Sequence, residues 1–241
     1  MSAPTRDAFL GGRLHLWQPG RGGFRSGSDA VLLAAACPAA PGETVLDLGC
    51  GSGAAMLCVA ARVPGVRVTG VERDPEAAAL ARRNGAEVAE GDMADLPPDL
   101  RARSFDHVIC NPPYFAHGAG DPAADPAREA ALREGAAGLG PWCDAACRRA
   151  GPRGTVTMIA RADRLADLLA GLAPRLGDLR VRPVAARPGE AAGRVVVRGR
   201  KGARAPLRLL APLSMHPEAG PGHAPLAEAL LRDAAALPMD R

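Results

Sequence analysis

Asn111-Pro112-Pro113-Tyr114 is the stretch of this 241-residue chain whose residue types and order are most specific to one chemistry. It ends an apolar run, RSFDHVIC, that reads as a strand stopping at a double proline. Asn-Pro alone is a common turn pair. Two prolines and an aromatic add more. The prolines fix the backbone and carry no N–H, so nearby carbonyls are left without local donors. The Asn111 amide oxygen and the Pro112 carbonyl can each accept one N–H of a planar amine, Tyr114 offers a ring for stacking, and Pro113 and Phe115 flank the same surface. The lone pair of such an amine is delocalised into its ring, so the nitrogen is a poor nucleophile. Two acceptors on its hydrogens, tilted from the ring plane, favour the tetrahedral nitrogen of a transition state. A cationic product nitrogen loses its proton readily, so no strong base is needed. None is evident: His107 falls within the strand and His117 in the loop beyond.

A second constellation begins at Asp47-Leu48-Gly49-Cys50-Gly51-Ser52-Gly53, after another apolar strand. Glycines permit a tight turn and close approach of a ligand, and the following helix presents free N–H groups. Gly49, Gly51 and Ala54 also fit a dinucleotide pattern. Asp47 tilts the reading toward a cationic, amino-acid-bearing ligand, S-adenosylmethionine, because a carboxylate accepts from an ammonium or water and repels phosphate. Glu72 ends the next strand, where an acid accepts from both ribose hydroxyls, with Arg73 beside it on the same expected cofactor surface. Asp92 ends the third, placed to accept from an adenine amine, with Met93 to pack on the ring. The plainer alternative is a helix-capping Asp47 and surface acids at 72 and 92. Three acids at three consecutive strand ends, all on the carboxyl edge of one sheet, favour the site.

These residues need a scaffold that brings strand ends together. Strand–helix alternation through the first 175 residues predicts a doubly wound, mostly parallel α/β sheet of Rossmann-like type. Residues 8–24 read as a hairpin and SGSDAVLLAAACP as a helix. The segments LRVRPVAARP, RVVVRGRKG and LRLLAPLSMH read as strands; the two around Arg194–Arg204, RVVVRGRKG and LRLLAPLSMH, lack a helix-length connection and are expected to pair as an antiparallel hairpin at the end of the sheet. PLAEALLRDAAAL closes the chain as a helix. The Ala/Gly/Pro/Asp-rich stretch 116–138 reads as a loop with a helical part near Ala127–Arg133. The organisation expected is one domain, 1–241: an N-terminal hairpin and helix (1–40) closing over the cofactor, a cofactor-binding core (41–175), and C-terminal strands and helix (176–241).

Hydrophobic residues make up 47% of the chain, no apolar run reaches the ~20 residues that span a bilayer, and the N-terminus shows no secretory signal. The expectation is a cytoplasmic enzyme. The six cysteines form no CxxC pair, and Cys143 and Cys147 have no neighbouring histidine, so neither a metal nor a disulfide is expected. Net charge is only +4, but ten basic residues fall between Arg175 and Arg208, opposed by Asp178 and Glu190 alone. Arg198, Arg200 and Lys201, with Arg194 and Arg204, are the candidates for RNA phosphate contacts. A solvated face is the alternative.

With these motifs placed, the chain resembles class I methyltransferases carrying the NPPY signature. More closely, it is similar to the bacterial tRNA adenine-N6 methyltransferases that modify the purine beside the valine anticodon. GGFRSGSDAVLLAAACP, VLDLGCGSG, VTGVERDP, GDM, FDHVICNPPYF and RVVVRGRKGARAPLRLLAPLSMH carry the likeness over most of the chain. The resemblance implies cofactor contacts from Asp47, Gly49, Glu72 and Asp92, an acceptor clamp at Asn111–Tyr114, and closure of Gly27-Ser28-Asp29 over the methionine end of the cofactor. NPPY also occurs in glutamine methyltransferases acting on release factors and in guanine-N2 methyltransferases acting on ribosomal RNA. A nicotinamide oxidoreductase or a silent binding module on the same fold is the reading from another class; NPPY argues against the oxidoreductase. The basic stretch favours RNA over protein, and the segments flanking the motif, through the resemblance, imply tRNA.

Overall fold

The computed structural model describes residues 3–20, 24–113 and 138–240. Tyr114, Phe115 and the expected helix near 127–133 lie outside them. The chain opens with β1 (Thr5–Phe9) and β2 (Leu14–Gln18), paired antiparallel. Their turn falls at Leu10–Gly12, earlier than the 8–24 span suggested, because Gly11 and Gly12 take positive φ there (65° and 90°). Next come α1 (Ser28–Ala36), β3 (Thr44–Leu48), α2 (Ala54–Arg62), β4 (Arg67–Glu72), α3 (Pro75–Arg83), β5 (Glu87–Glu90), the short α4 (Pro98–Arg101) and β6 (Phe105–Cys110). From residue 138 on follow α5 (Gly140–Arg149), β7 (Ala150–Arg161), α6 (Leu165–Leu172), β8 (Leu176–Ala185), β9 (Ala192–Lys201), β10 (Arg208–Leu209), β11 (Leu213–Ser214) and α7 (Pro225–Arg232).

Local chemistry explains several boundaries. The Asp74 carboxylate accepts the Glu76 and Ala77 N–H groups to cap α3, Pro75 fills the first helical position, and Gly85 follows its end at φ 86°. The last expected strand, LRLLAPLSMH, splits into β10 and β11 around Pro212, which has no N–H to offer a ladder.

The main sheet runs β10-β8-β9-β7-β6-β3-β4-β5, with β11 also on β8. Strands β7, β6, β3, β4 and β5 are mutually parallel. β9 enters antiparallel between β7 and β8. This is the doubly wound, mostly parallel Rossmann-like sheet with an antiparallel end that the alternation predicts, but the antiparallel pair there is β8 with β9: LRLLAPLSMH forms no hairpin with RVVVRGRKG and instead lies parallel on β8 as β10 and β11. Apolar clusters cover both faces. One joins α1, α2 and α7 with the small hairpin, and the other lies under α5 and α6. In α1, every residue from Ala30 to Ala36 is buried, so this helix is a core element with no wet face. The parallel registers align Leu48 with Cys110 and Val71 with Ala89, bringing the ends of β3, β6, β4 and β5 to one carboxyl edge.

Candidate active site

The Gly-rich loop is shaped by three glycines at positive φ: Gly49 (68°), Gly51 (55°) and Gly53 (85°). The Gly49 and Cys50 N–H groups both donate to the Val71 carbonyl, pinning the loop to β4. Asp47, 2% exposed, accepts the Met56 N–H in the first turn of α2 at 3.2 Å. It therefore does cap a helix, as the plainer reading allowed, and lies directly behind the glycine turn. Burial pushes its carboxyl up to about 8; the Met56 N–H opposes the rise and the charge of Glu72 adds to it. A cation beside Asp47 would relieve that cost, which is how the site fits a positively charged ligand. Glu72 accepts the Gly51 N–H on Oε2 and the Asp74 N–H on Oε1, each at 2.8 Å. It braces the loop and keeps further lone pairs for a ligand. Asp92 is exposed and accepts the Ala94 N–H at 2.8 Å, half-buried Met93 packs against the core beneath α5, and Arg73 is exposed beside Glu72.

One residue past β6, Asn111 lies next to that loop by register. Its Oδ1 is buried and has no hydrogen-bond partner among the described residues. Buried amide oxygens are ordinarily paired, so an orphan at a strand end is an acceptor awaiting a donor. Pro112 is buried and Pro113 half-buried. The thiols nearby offer no nucleophile: burial and adjacent acids hold Cys50 far above its ordinary range, and burial with Asp47 does the same to Cys110. His107 sits toward the opposite end of β6, bonded to Thr155 Oγ1 and Glu43 Oε2 at 2.8 Å each.

The remaining candidates divide. Asp29, in the first turn of α1, accepts from Arg194 Nε at 2.8 Å, and register with Arg161 puts Arg194 at the carboxyl-edge end of β9. Arg198, Arg200 and Lys201 lie toward the other end, Lys201 being about 20 Å along the strand from Arg194. Arg198 donates to the Ala36 carbonyl at the end of α1 and pairs with Asp240; burial lowers its guanidinium to about 10. Lys201 donates to the Cys147 and Ala150 carbonyls at the end of α5, at 2.9 and 2.7 Å. Arg200 is exposed. The structure thus does not bring these three to the edge that holds Asn111.

Two side chains at the site escaped the sequence reading. The Trp142 ring fills the notch above Gly49, where an added Cβ would stand 2.8 Å from Cη2. Asn84 bonds the Ser52 carbonyl of the loop at 2.9 Å. The only signals were a lone Trp at a helix start and an Asn-Gly helix end.

Residues 22–131 match the methyltransferase small domain family. A tRNA1(Val) (adenine(37)-N6)-methyltransferase of Actinobacillus succinogenes is 32% identical over 200 residues, 79% of this chain and 82% of its own length. One from Porphyromonas gingivalis is 35% identical over 179 residues, 68% of this chain and 69% of its own length. A crystal structure from Agrobacterium tumefaciens, described as a predicted O-methyltransferase, superposes with a TM-score of 0.73 at 32% identity. It covers 87% of this chain and 98% of its own.

Proposed function

This chain belongs to the tRNA1(Val) (adenine(37)-N6)-methyltransferase family, and we propose that it transfers a methyl group from S-adenosylmethionine to the exocyclic N6 of an adenine in tRNA. The observation that carries this reading is the buried, unpartnered Oδ1 of Asn111 beside the Asp47–Gly53 loop. Two acceptors, Oδ1 and the Pro112 carbonyl, suit the two hydrogens of an amine. A hydroxyl has one hydrogen to give, so the clamp favours N- over O-methylation.

When bound, S-adenosylmethionine supplies an electrophilic methyl on a cationic sulfur. Gly49, Gly51 and Gly53 would let the backbone approach it, Asp47 and Asp29 would hold its amino-acid end, Glu72 and Arg73 the ribose, and Asp92 and Met93 the adenine. Asn111 and Pro112 draw the N6 hydrogens out of the ring plane and turn the nitrogen lone pair toward the methyl carbon. Transfer of that methyl to N6 would leave a cationic nitrogen, and one of the hydrogens held by Asn111 and Pro112 would then pass to water as a proton. Tyr114, Phe115 and Pro113 hold the flipped base by stacking and packing. Of the basic stretch, exposed Arg204 and Arg200 remain the candidates for phosphate, Arg200 through the guanidinium N–H groups left over from its Nε bond to the Arg153 carbonyl; Arg198 and Lys201 are less exposed and hold main-chain carbonyls. Among the described residues no helix is long and apolar enough to cross a membrane. With six buried cysteines, none in a disulfide, a cytoplasmic site of action suits the chain.

Nucleoside mass spectrometry tests the reading. Unmodified tRNA, ribosomal RNA and a release factor are each incubated with enzyme and S-adenosylmethionine, and N6-methyladenosine in tRNA is the expected product. Methyl groups found instead on a glutamine or on guanine N2 would replace this function with one of its alternatives.

A further inference from the structure

The N-terminal hairpin and the Gly-rich loop are separate in sequence and belong to separate sheets, yet one side chain joins them. Asn84, the residue closing α3, receives the Trp17 N–H on Oδ1 at 2.7 Å and returns Nδ2–H to the Trp17 carbonyl at 2.9 Å. The side-chain amide thus pairs with β2 as a neighbouring strand's peptide group would. The second Nδ2 hydrogen reaches the carbonyl of Ser52, at 2.9 Å, between Gly51 and Gly53. An asparagine amide has two donor hydrogens, and both are occupied. The preceding residue strengthens the grip: the Arg83 guanidinium lies 3.7 Å from the centre of the Trp17 ring.

Three features make this more than a helix end. The Asn84 main-chain N–H already closes α3 on the Leu80 and Ala81 carbonyls, so the side chain is not needed for that. The residue on either side of Ser52 is a glycine at positive φ, so the loop has little local stiffness of its own. The contacts span 67 and 32 residues of sequence, so their effect is tertiary.

We propose that Asn84 is a positioning residue for the cofactor loop: it locks the Ser52 carbonyl and couples the loop's shape to the docking of the N-terminal hairpin through Trp17. The proposal rests on the reading that this loop binds S-adenosylmethionine.

The test uses the whole protein with Asn84→Ala and Asn84→Ser, and Asn84→Asp as the severe case, since its carboxylate would face two carbonyls. Calorimetry with S-adenosylhomocysteine, on variants shown folded by circular dichroism, should give a dissociation constant raised about tenfold in Asn84→Ala. At saturating cofactor, kcat should stay within about threefold of wild type, with the loss in KM. Hydrogen exchange should rise both in 14–18 and in 49–54, segments with no backbone role in α3. Both changes together support the coupling. An unchanged dissociation constant, or extra exchange confined to 80–86, overturns it. Wild-type protein that binds no S-adenosylhomocysteine overturns the loop reading itself, an outcome distinct from wild type and variant binding alike.

Discussion

The two ends of the β6–β7–β9 ribbon treat polar groups in opposite ways. At the carboxyl end, Asn111 keeps a buried acceptor without a donor and Asp47 holds a buried carboxyl against its preference for charge. At the other end, Lys201 and Arg198 give their hydrogens to helix-terminal carbonyls, and His107 uses both ring nitrogens. Among the described residues the first region keeps its unpaired acceptor on the edge that carries the glycine loop; the second spends Lys201 and Arg198 on main-chain carbonyls, although Arg62 Nε near that end and Thr157 Oγ1 in the middle of the ribbon are also buried without a partner. A count of charges would reverse the ranking, because the second is the more basic. A buried, unpaired acceptor on the edge that carries the motifs marks the site better than charge does.

Four experiments can break or sharpen that contrast. The largest effect is expected at Asn111. Asn111→Ala should cut methyl transfer by about a hundredfold or more and leave cofactor affinity within about threefold. Asn111→Asp should be milder, because a carboxylate still accepts N–H. Equal losses in transfer and cofactor affinity would turn Asn111 into a cofactor ligand and end the clamp argument.

Glu72→Ala removes the acceptor for Gly51 and Asp74 together with any ribose contact. Cofactor binding should weaken by ~1–3 kcal/mol, read by calorimetry. A variant that binds as wild type would reduce Glu72 to a surface acid.

The third experiment concerns the more basic end. Lys201→Met strands two carbonyls and should lower unfolding stability by ~1–3 kcal/mol in urea titrations, with tRNA affinity unchanged. Charge reversal at Arg200 and Arg204 should instead weaken tRNA binding, with a shallower salt dependence, and leave stability unchanged. If Lys201→Met weakened RNA binding and spared stability, the two ends would not differ as described.

The last experiment is a pH dependence. The folded-state pKa of Asp47, about 8, lies above its ordinary value of 3.8. The folded chain thus holds a proton that the unfolded chain has lost, and stability without cofactor should fall as pH rises from about 4 to about 8. A cationic ligand prefers the carboxylate, so cofactor affinity should rise over the upper part of that window, with proton release visible in buffers of different ionisation enthalpy. Asp47→Asn should flatten both profiles.

Much of this was legible in the linear chain, for a local reason. Pro112 and Pro113 end a strand wherever they occur, Gly49, Gly51 and Gly53 permit a turn that other residues resist, and strand–helix periodicity orders the sheet. Such constraints act within a few residues, so the parallel sheet, its antiparallel end and the motifs on its carboxyl edge could be read in advance. The β10–β11 break was also written locally, in Pro212, but was missed.

What only the tertiary structure decided are pairings across long separations. Arg198 meets Ala36 across 162 residues and Lys201 meets Ala150 across 51. Trp142 closes over Gly49, and Asn84 joins Trp17 to Ser52. No periodicity tells a cation that caps a helix from one that waits for phosphate, since both satisfy the same local pattern. The choice falls to packing: where helix ends leave carbonyls bare, the nearest donor is captured, as Arg198 and Lys201 are.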